Sequence, residues 1–258
     1  MKKEFFKSLK KLIESNQGKR EVDVILKVYE YAFTLINKHS QYDVLNYLAD
    51  IDIKDNETLQ CAVKLLNAIA QNRPFDDLLT EFIEVENIAN TNLGQYFTSV
   101  DAADMIAFFN SIDYRSKKNQ REKYQYYKFS DECGCGAGSL TLAFLRGIDA
   151  ESSDFRDFQN LEIWLNDIDE NIARIATLTI FLSGVIHSRH IGVIYTQAKN
   201  ILTEHSAFKP ISQLIANEYR YKRSLYISAK TSFEERLPAF NELMNRFSKI
   251  DSYTTKDF

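Results

Sequence analysis

Three glycines at alternate positions, Gly134, Gly136 and Gly138, stand between a run from Lys128 that ends in the acidic pair Asp131-Glu132 and a helix-forming run that starts at Ser139. The whole chain has only eight glycines, so three within five residues mark a place where the backbone must turn tightly or come close to something else. A strand, a glycine turn and a helix in that order leave the free amide groups of the helix N-terminus pointing at whatever occupies the turn. A dinucleotide fingerprint would carry its third glycine three residues after the second, and a phosphate-binding loop would end in Gly-Lys-Ser or Gly-Lys-Thr. Neither pattern is present. A turn made tight for packing alone is the alternative.

About thirty-five residues on, Ile163-Trp164-Leu165-Asn166-Asp167-Ile168-Asp169 ends a second apolar strand in acidic residues and opens a helix that Asp169 is placed to cap. A carboxylate at the end of the second strand can accept hydrogen bonds from both hydroxyls of a ribose, the role expected for Asp167. Short apolar runs at Tyr126 to Phe129, Leu161 to Leu165 and Ile191 to Tyr195 alternate with helical patterns at Ala102 to Ile112, Ser139 to Arg146 and Asn171 to Gly184. That alternation predicts an α/β domain over residues 91–258, with a mostly parallel sheet and covering helices.

Residues 1–90 have a different texture, with apolar residues at helical spacing (Val24, Ile25, Val28, Tyr29, Ala32, Phe33, Ile36) and few breakers. They predict an all-α domain of four or five helices, among them Asp43 to Leu48, Leu59 to Ile69 and Asp76 to Val85, with Asp55 or Asn56 capping the helix through Leu65. No residue pattern in this part suggests chemistry. It is the expected surface for a protein partner.

At 45% hydrophobic and 13% aromatic, 258 residues suffice for one large core or a medium core with a helical satellite. No run approaches the ~18 apolar residues of a membrane span, and the N-terminus reads as amphipathic rather than as a signal peptide, so the expected location is cytoplasmic. A formal charge of −4 argues against indiscriminate coating of nucleic acid. A local basic and aromatic stretch, residues 114–129, is a candidate groove for a DNA backbone, or else a solvated loop running into a strand. Cys61, Cys133 and Cys135 read as free thiols, and His187 with His190 as a polar helix end; no metal site is expected.

Glu132-Cys133-Gly134-Cys135-Gly136-Ala137-Gly138-Ser139-Leu140 resembles the first motif of the DNA adenine methyltransferases of type I restriction-modification modification subunits, Asp-Pro-x-Cys-Gly-x-Gly-x-x-Leu. Upstream, Gly94-Gln95-Tyr96-Phe97-Thr98-Ser99 is similar to that family's Gly-Gln-(Phe/Tyr)-(Phe/Tyr)-Thr-Pro segment, and Asn166 to Gly184 resembles its second motif. The resemblance covers residues 92–205 and implies a class I, Rossmann-like S-adenosylmethionine-binding domain. It implies that Gln95, Tyr96, Phe97 and Thr98 close over the methionine end of the cofactor. By the same resemblance Glu132, Gly134, Gly136 and Gly138 hold the methionine moiety, Asp167 and Ile168 hold ribose and adenine, and Asn200 stands where the family has an acidic residue that meets adenine. The family's catalytic Asn/Asp-Pro-Pro-Tyr/Phe is missing, since the only prolines are Pro74, Pro210 and Pro238.

In that family the first motif residue accepts hydrogen bonds from the target amino group and the aromatic one stacks on the flipped base. The nearest remnant is Asn217-Glu218-Tyr219, which gives Asn217 and Tyr219 as the catalytic candidates without the rigid turn that prolines supply. Three readings therefore stand side by side. The first is an adenine-N6 methyltransferase. The second is an inactive relative, phage- or plasmid-borne, that binds cofactor or nucleic acid and regulates or opposes a restriction system. The third is an interaction protein with an empty cofactor fold. The chain is also shorter than a usual modification subunit, and the C-terminal extension by which those proteins meet a specificity subunit is not expected here.

Overall fold

A computed structural model describes residues 1–37, 42–46, 53–85, 98–118, 127–151, 156–203 and 211–216. Residues 1–219 form one compact unit, and residues 220–258, a second unit, lie outside the described residues. The first two helices, α1 (Lys2–Ser15) and α2 (Glu21–Asn37), lead to a short strand, β1 (Tyr42–Asn46), and then to α3 (Asn56–Gln71) and α4 (Leu78–Val85). After these come α5 (Val100–Lys118), β2 (Tyr127–Asp131), α6 (Ser139–Glu151), the short α7 (Arg156–Gln159), β3 (Leu161–Asp167), α8 (Glu170–Ile186), β4 (Val193–Ala198) and β5 (Ser212–Ala216).

The five strands lie in the order β1-β5-β4-β3-β2, with β2, β3 and β4 mutually parallel and β5 antiparallel to both β4 and β1. Four strands thus run one way and β5 runs against them, giving a mixed α/β architecture with a small, open, mostly parallel sheet. Its inner face is the row Phe129, Ile163, Ile194 and Leu214, in register across β2 to β5 and all buried. Phe144 of α6 stacks on Phe129 at 4.1 Å between ring centroids, and Thr177 of α8 shares a hydrogen bond with Thr196 of β4. Both crossover helices therefore cover the same face, as two successive right-handed crossovers require.

Helix α8 is buried along its whole length from Ile172 to Gly184, because α2 packs on the side turned away from the sheet. Helix α2 is itself apolar nearly all round, and α1 and α3 close over it, so the N-terminal helices are a further layer on the sheet's helical face. The junction is fastened by polar contacts as well as by the contact of Phe33 with Phe181 at 5.1 Å between centroids. The Phe75 amide donates to Ser183 Oγ (2.7 Å), Thr80 and Ser139 hydroxyls meet at 2.8 Å, and His187 donates from Nε2 to the Ile69 carbonyl (3.1 Å).

Two caps stand where the sequence places them: Asp55 accepts from the Glu57 amide (3.0 Å) at the head of α3, and Asp169 accepts from the Asn171 amide (2.9 Å) at the head of α8. The N-terminal 90 residues are not all helical, however. The segment from Asp43, expected as helix, is strand β1, whose pairing with β5 continues the sheet beyond β4. Five residues are too few for periodicity to separate a strand from a helix turn, and the deciding partner, β5, is 166 residues away in register (Asn46 to Ser212).

No helix among the described residues is long and apolar enough to cross a membrane.

Candidate functional site

Strands β2, β3 and β4 end side by side, and the three loops that leave them enclose one cavity of about 420 Å³. Cys133, Gly134 and Gly136 line it from the first loop, Asn166, Asp167 and Ile168 from the second, and Lys199 to Leu202 from the third. The volume falls in the range of small-molecule sites, and the place is the strand-end crevice where α/β sheets bind ligands.

Within the first loop, Gly134, Gly136 and Gly138 all adopt positive φ (121°, 54° and 92°), so the alternate glycines meet a real conformational demand. A Cβ added at Gly134 or Gly136 would meet nothing within 4 Å, whereas one at Gly138 would come within 3.3 Å of the Ala176 Cβ of α8. The first two glycines therefore leave space open above the turn, and the third lets α6 and its loop seat against α8.

Asp167 ties the second loop to the first. Its Oδ2 accepts from the Gly136 amide (3.0 Å) and its Oδ1 from the Asp169 amide (2.9 Å). The residue is only 5% exposed, yet it lines the cavity, and each carboxylate oxygen retains acceptor capacity beyond one amide bond. Asn166 braces all three loops: its Nδ2 donates to the carbonyls of Glu132 (2.9 Å) and Lys199 (3.2 Å), its Oδ1 accepts from the Lys199 amide (3.1 Å), and its own carbonyl accepts from the Cys135 amide (2.8 Å). Ile168 and Leu202, 70% and 81% exposed, are apolar surfaces on opposite loops of the cavity on which a flat ring can lie. Polar acceptors at the base, open glycine backbone on one side and apolar lips suit a nucleoside-bearing small molecule.

Behind the loop lies a buried acidic cluster. Burial pushes the Asp131 carboxyl up to about 6, Thr141 Oγ1 donating to it at 2.9 Å works the other way, and the Asp167 charge adds to the rise. Burial, with Asp131 and Asp167 nearby, holds the Cys135 thiol well above the usual range, so it is a protonated packing group; Cys133 is the exposed one.

Of the residues expected from sequence, Gly134, Gly136, Asp167, Ile168 and Asn200 line this one cavity. Gly138 supports it from behind, and Glu132 contributes its carbonyl to the Asn166 brace while its side chain lies 3.7 Å from Lys128 Nζ. Thr98 is exposed just ahead of α5 and does not line the cavity, and Gln95, Tyr96 and Phe97 fall outside the described residues. Asn217 and Tyr219 also lie outside them. The last described residue before them, Ala216, ends β5 beyond the point where Ile215 pairs with Val193 at the start of β4, the end of the sheet opposite the cavity.

Asn166, Lys199, Ile201 and Leu202 were not singled out by sequence reasoning. Asn166 carried a usable signal, since a polar residue at the inner end of an otherwise apolar strand must find partners.

The basic and aromatic stretch divides. Tyr114 belongs to α5 and is buried with its ring against Tyr127 (5.1 Å) and Phe144 (6.1 Å), so it is a core residue rather than a stacking platform. Tyr127 donates to Asp113 (2.9 Å), Lys128 caps the Trp164 ring at 3.7 Å, and residues 119–126 lie outside the described residues.

A depression of similar size, about 430 Å³, lies between α1 and α3 and is lined by Glu4, Lys7, Lys11, Glu57 and Lys64 among others. Long charged side chains on helix surfaces give it no fixed donor set, and the strand-end cavity is the better site on chemical grounds. Among the described residues no group of acidic, histidine or cysteine side chains could hold a metal ion. The chain matches no family model, no curated protein and no solved structure.

Proposed function

We propose that the strand-end cavity binds S-adenosylmethionine and that the chain is a DNA adenine-N6 methyltransferase-like protein with a class I, Rossmann-like core. The observation that carries this reading is the bond from the Gly136 amide to Asp167 Oδ2 at 3.0 Å. It joins the glycine turn after β2 to the carboxylate that ends β3, the two elements that hold the methionine and ribose parts in the resembled family. Successive parallel strands β2, β3 and β4 with helices on one face agree with half of a Rossmann-like sheet.

The residues present fit the cofactor. The open space above Gly134 and Gly136 admits a chain of atoms against bare backbone, Asp167 offers acceptors for ribose hydroxyls, and Ile168 with Leu202 offers apolar surface for adenine. Asn200, in the third loop, supplies an uncharged polar group beside it. When bound, the cofactor supplies an activated methyl group. The chain's own contribution here is to bind and orient, and Asn166 keeps the three loops in register while it does so.

A second reading, a cofactor-binding relative without turnover of its own that acts through a partner or on a restriction system, is favoured by one observation. Strand β5 carries the chain to the far end of the sheet immediately before Asn217 and Tyr219, and no proline pair is available to build the missing turn. Calorimetric titration of the folded protein with S-adenosylmethionine and with its demethylated product tests the binding claim shared by both readings. Saturable heat with either ligand supports it; none at about 1 mM ligand, about 4 kcal/mol of binding free energy, overturns it.

A further inference from the structure

Positive charge gathers at the start of a chain that is acidic as a whole. Residues 1–20 hold seven lysines and arginines against two glutamates, a formal +5, where the full sequence sums to −4. Five of the lysines lie on α1, whose other face is already engaged: Phe5, Phe6, Leu9 and Leu12 are at most 6% exposed, and Phe6 meets Phe82 at 5.4 Å between ring centroids. Opposite that face Lys3, Lys7 and Lys11 stand exposed at i, i+4 and i+8, in one line with steps of about 6 Å, and Lys10 lies beside them. Lys64 of α3 joins Lys7 and Lys11 in lining the depression between the two helices, its Nζ donating to Ser8 Oγ at 3.2 Å.

This pattern works against the helix that carries it. Like charges at i, i+4 repel, and lysines in the first turn stand at the positive end of the helix dipole. Among the described residues Lys3, Lys7 and Lys11 have no ion-pair partner to offset that cost. The acids near them are few: Glu4 is held by the N-terminal ammonium at 3.5 Å, Glu57 lines the depression from α3, and Glu14 stands a turn beyond the row. A straight row of cations on a helix anchored by its other face suits a polyanion with evenly spaced charges. One strand of duplex DNA has a phosphate per ~3.4 Å of axis, so a row of about 12 Å spans about three to four of them. A membrane is a poorer match, because α1 would have to surrender its buried apolar face to insert. Single strands are disfavoured too, since α1 exposes no aromatic ring on which bases would stack.

We propose that Lys3, Lys7 and Lys11 of α1, with Lys64 of α3, form a docking surface for the phosphate backbone of double-stranded DNA. Contacts of this kind position a duplex without reading its sequence. The lack of a fixed donor set, which disfavours the depression as a small-molecule site, is therefore no obstacle here. The inference rests on the lysine row alone and holds whether or not the strand-end cavity takes a cofactor.

Fluorescence anisotropy of the full-length chain, without cofactor, on labelled duplexes of about 20 base pairs is expected to show saturable binding that is indifferent to sequence, with log Kd rising against log salt at a slope of about 3 to 4. Replacing Lys7 and Lys11 together by alanine is expected to lower that slope by about 2 and to weaken binding about tenfold at low salt, with an unchanged melting temperature. Lys7→Arg with Lys11→Arg, which keeps the charges, is expected to retain both the slope and the affinity. No binding at about 100 µM protein in about 50 mM salt, a slope that the double alanine variant leaves unchanged, competition by polyglutamate as strong as by unlabelled duplex, or sedimentation with phosphatidylglycerol vesicles in preference to DNA would each overturn the assignment.

Discussion

Replacing Asp131 by asparagine should make the protein more stable at neutral pH, by an amount that the structure allows to be worked out. The carboxyl rises from 3.8 to about 6 on folding because it is buried at the end of β2. A raised acid binds more protons folded than unfolded between those two values, so its contribution to stability falls as pH climbs from about 4 to about 6 and is constant outside that window. A shift of about two pH units corresponds to about 3 kcal/mol of destabilisation at neutral pH, from 1.36 kcal/mol per unit. Asparagine imitates the protonated acid and can keep a hydrogen bond with Thr141, now 2.9 Å from Asp131 Oδ2. Denaturant unfolding of parent and variant should therefore differ by about 2 to 3 kcal/mol in the variant's favour at pH 7.5, and by about 0.5 kcal/mol at pH 4. Any cost of a poorer bond to Thr141 shifts the difference equally at every pH, so the slope between pH 4 and pH 6 is the decisive quantity. A difference that is flat across that window, or that favours the parent as pH rises, would refute the idea that Asp131 is a carboxylate ionised at a cost.

Asp167→Ala should weaken S-adenosylmethionine binding by about 1 to 3 kcal/mol through loss of charge-assisted hydrogen bonds, measured by calorimetry; unchanged affinity would remove Asp167 from the ribose role. Gly136→Val should abolish binding and also cost stability, since a β-branched residue is strained at φ +54° even though a Cβ there meets nothing within 4 Å. Gly138→Ala should lower stability by about 1 to 3 kcal/mol, because at φ +92° its Cβ presses on Ala176, and thermal melts measure the loss. The purified chain alone should transfer tritiated methyl groups to unmethylated DNA very slowly or not at all; robust transfer abolished by Asn217→Ala would show residues 215–221 to be a working site.

How much of this was legible in the sequence follows from which forces are local. The glycine turn, the Asp169 cap and the long apolar helix that became α8 are written in neighbouring residues, so their places could be read directly. The three parallel strands were found too, but each runs further than its apolar core, with β3 reaching through Asn166 to Asp167 and β4 through Gln197 to Ala198. Polar residues at those ends are held by neighbouring loops rather than by local preference, as the four bonds of Asn166 illustrate. Among the described residues, strand β1 pairs with β5 and β5 with β4, pairings that no sequence window spans. Lys199 and Leu202 became site residues solely because β4 ends beside β3.

The arrangement of strands also sets the cavity at one end of the sheet and the end of β5 at the other. In a doubly wound sheet the ligand crevice opens where the strand order reverses, so that loops from both halves meet over the ligand. Here the cavity is built by three consecutive strands on one side only, and among the described residues β2 pairs with β3 alone while β5 and β1 extend the opposite edge. Among the described residues, the lining of this cavity comes from the ends of β2, β3 and β4 and the loops that follow them, and β5 leads away from it. The N-terminal helices reinforce the same half: Arg20 pairs with Asp169, Asn171 donates to Asp23 at 2.8 Å, and the Asp169 amide in turn donates to Asp167. A layer of helices thus braces the loop that carries the proposed ribose carboxylate. The bracing of Asp167 by Asp169 and of Asp169 by Arg20 therefore makes the strand-end cavity a preorganised small-molecule site that α1–α3 and the three parallel strands hold together.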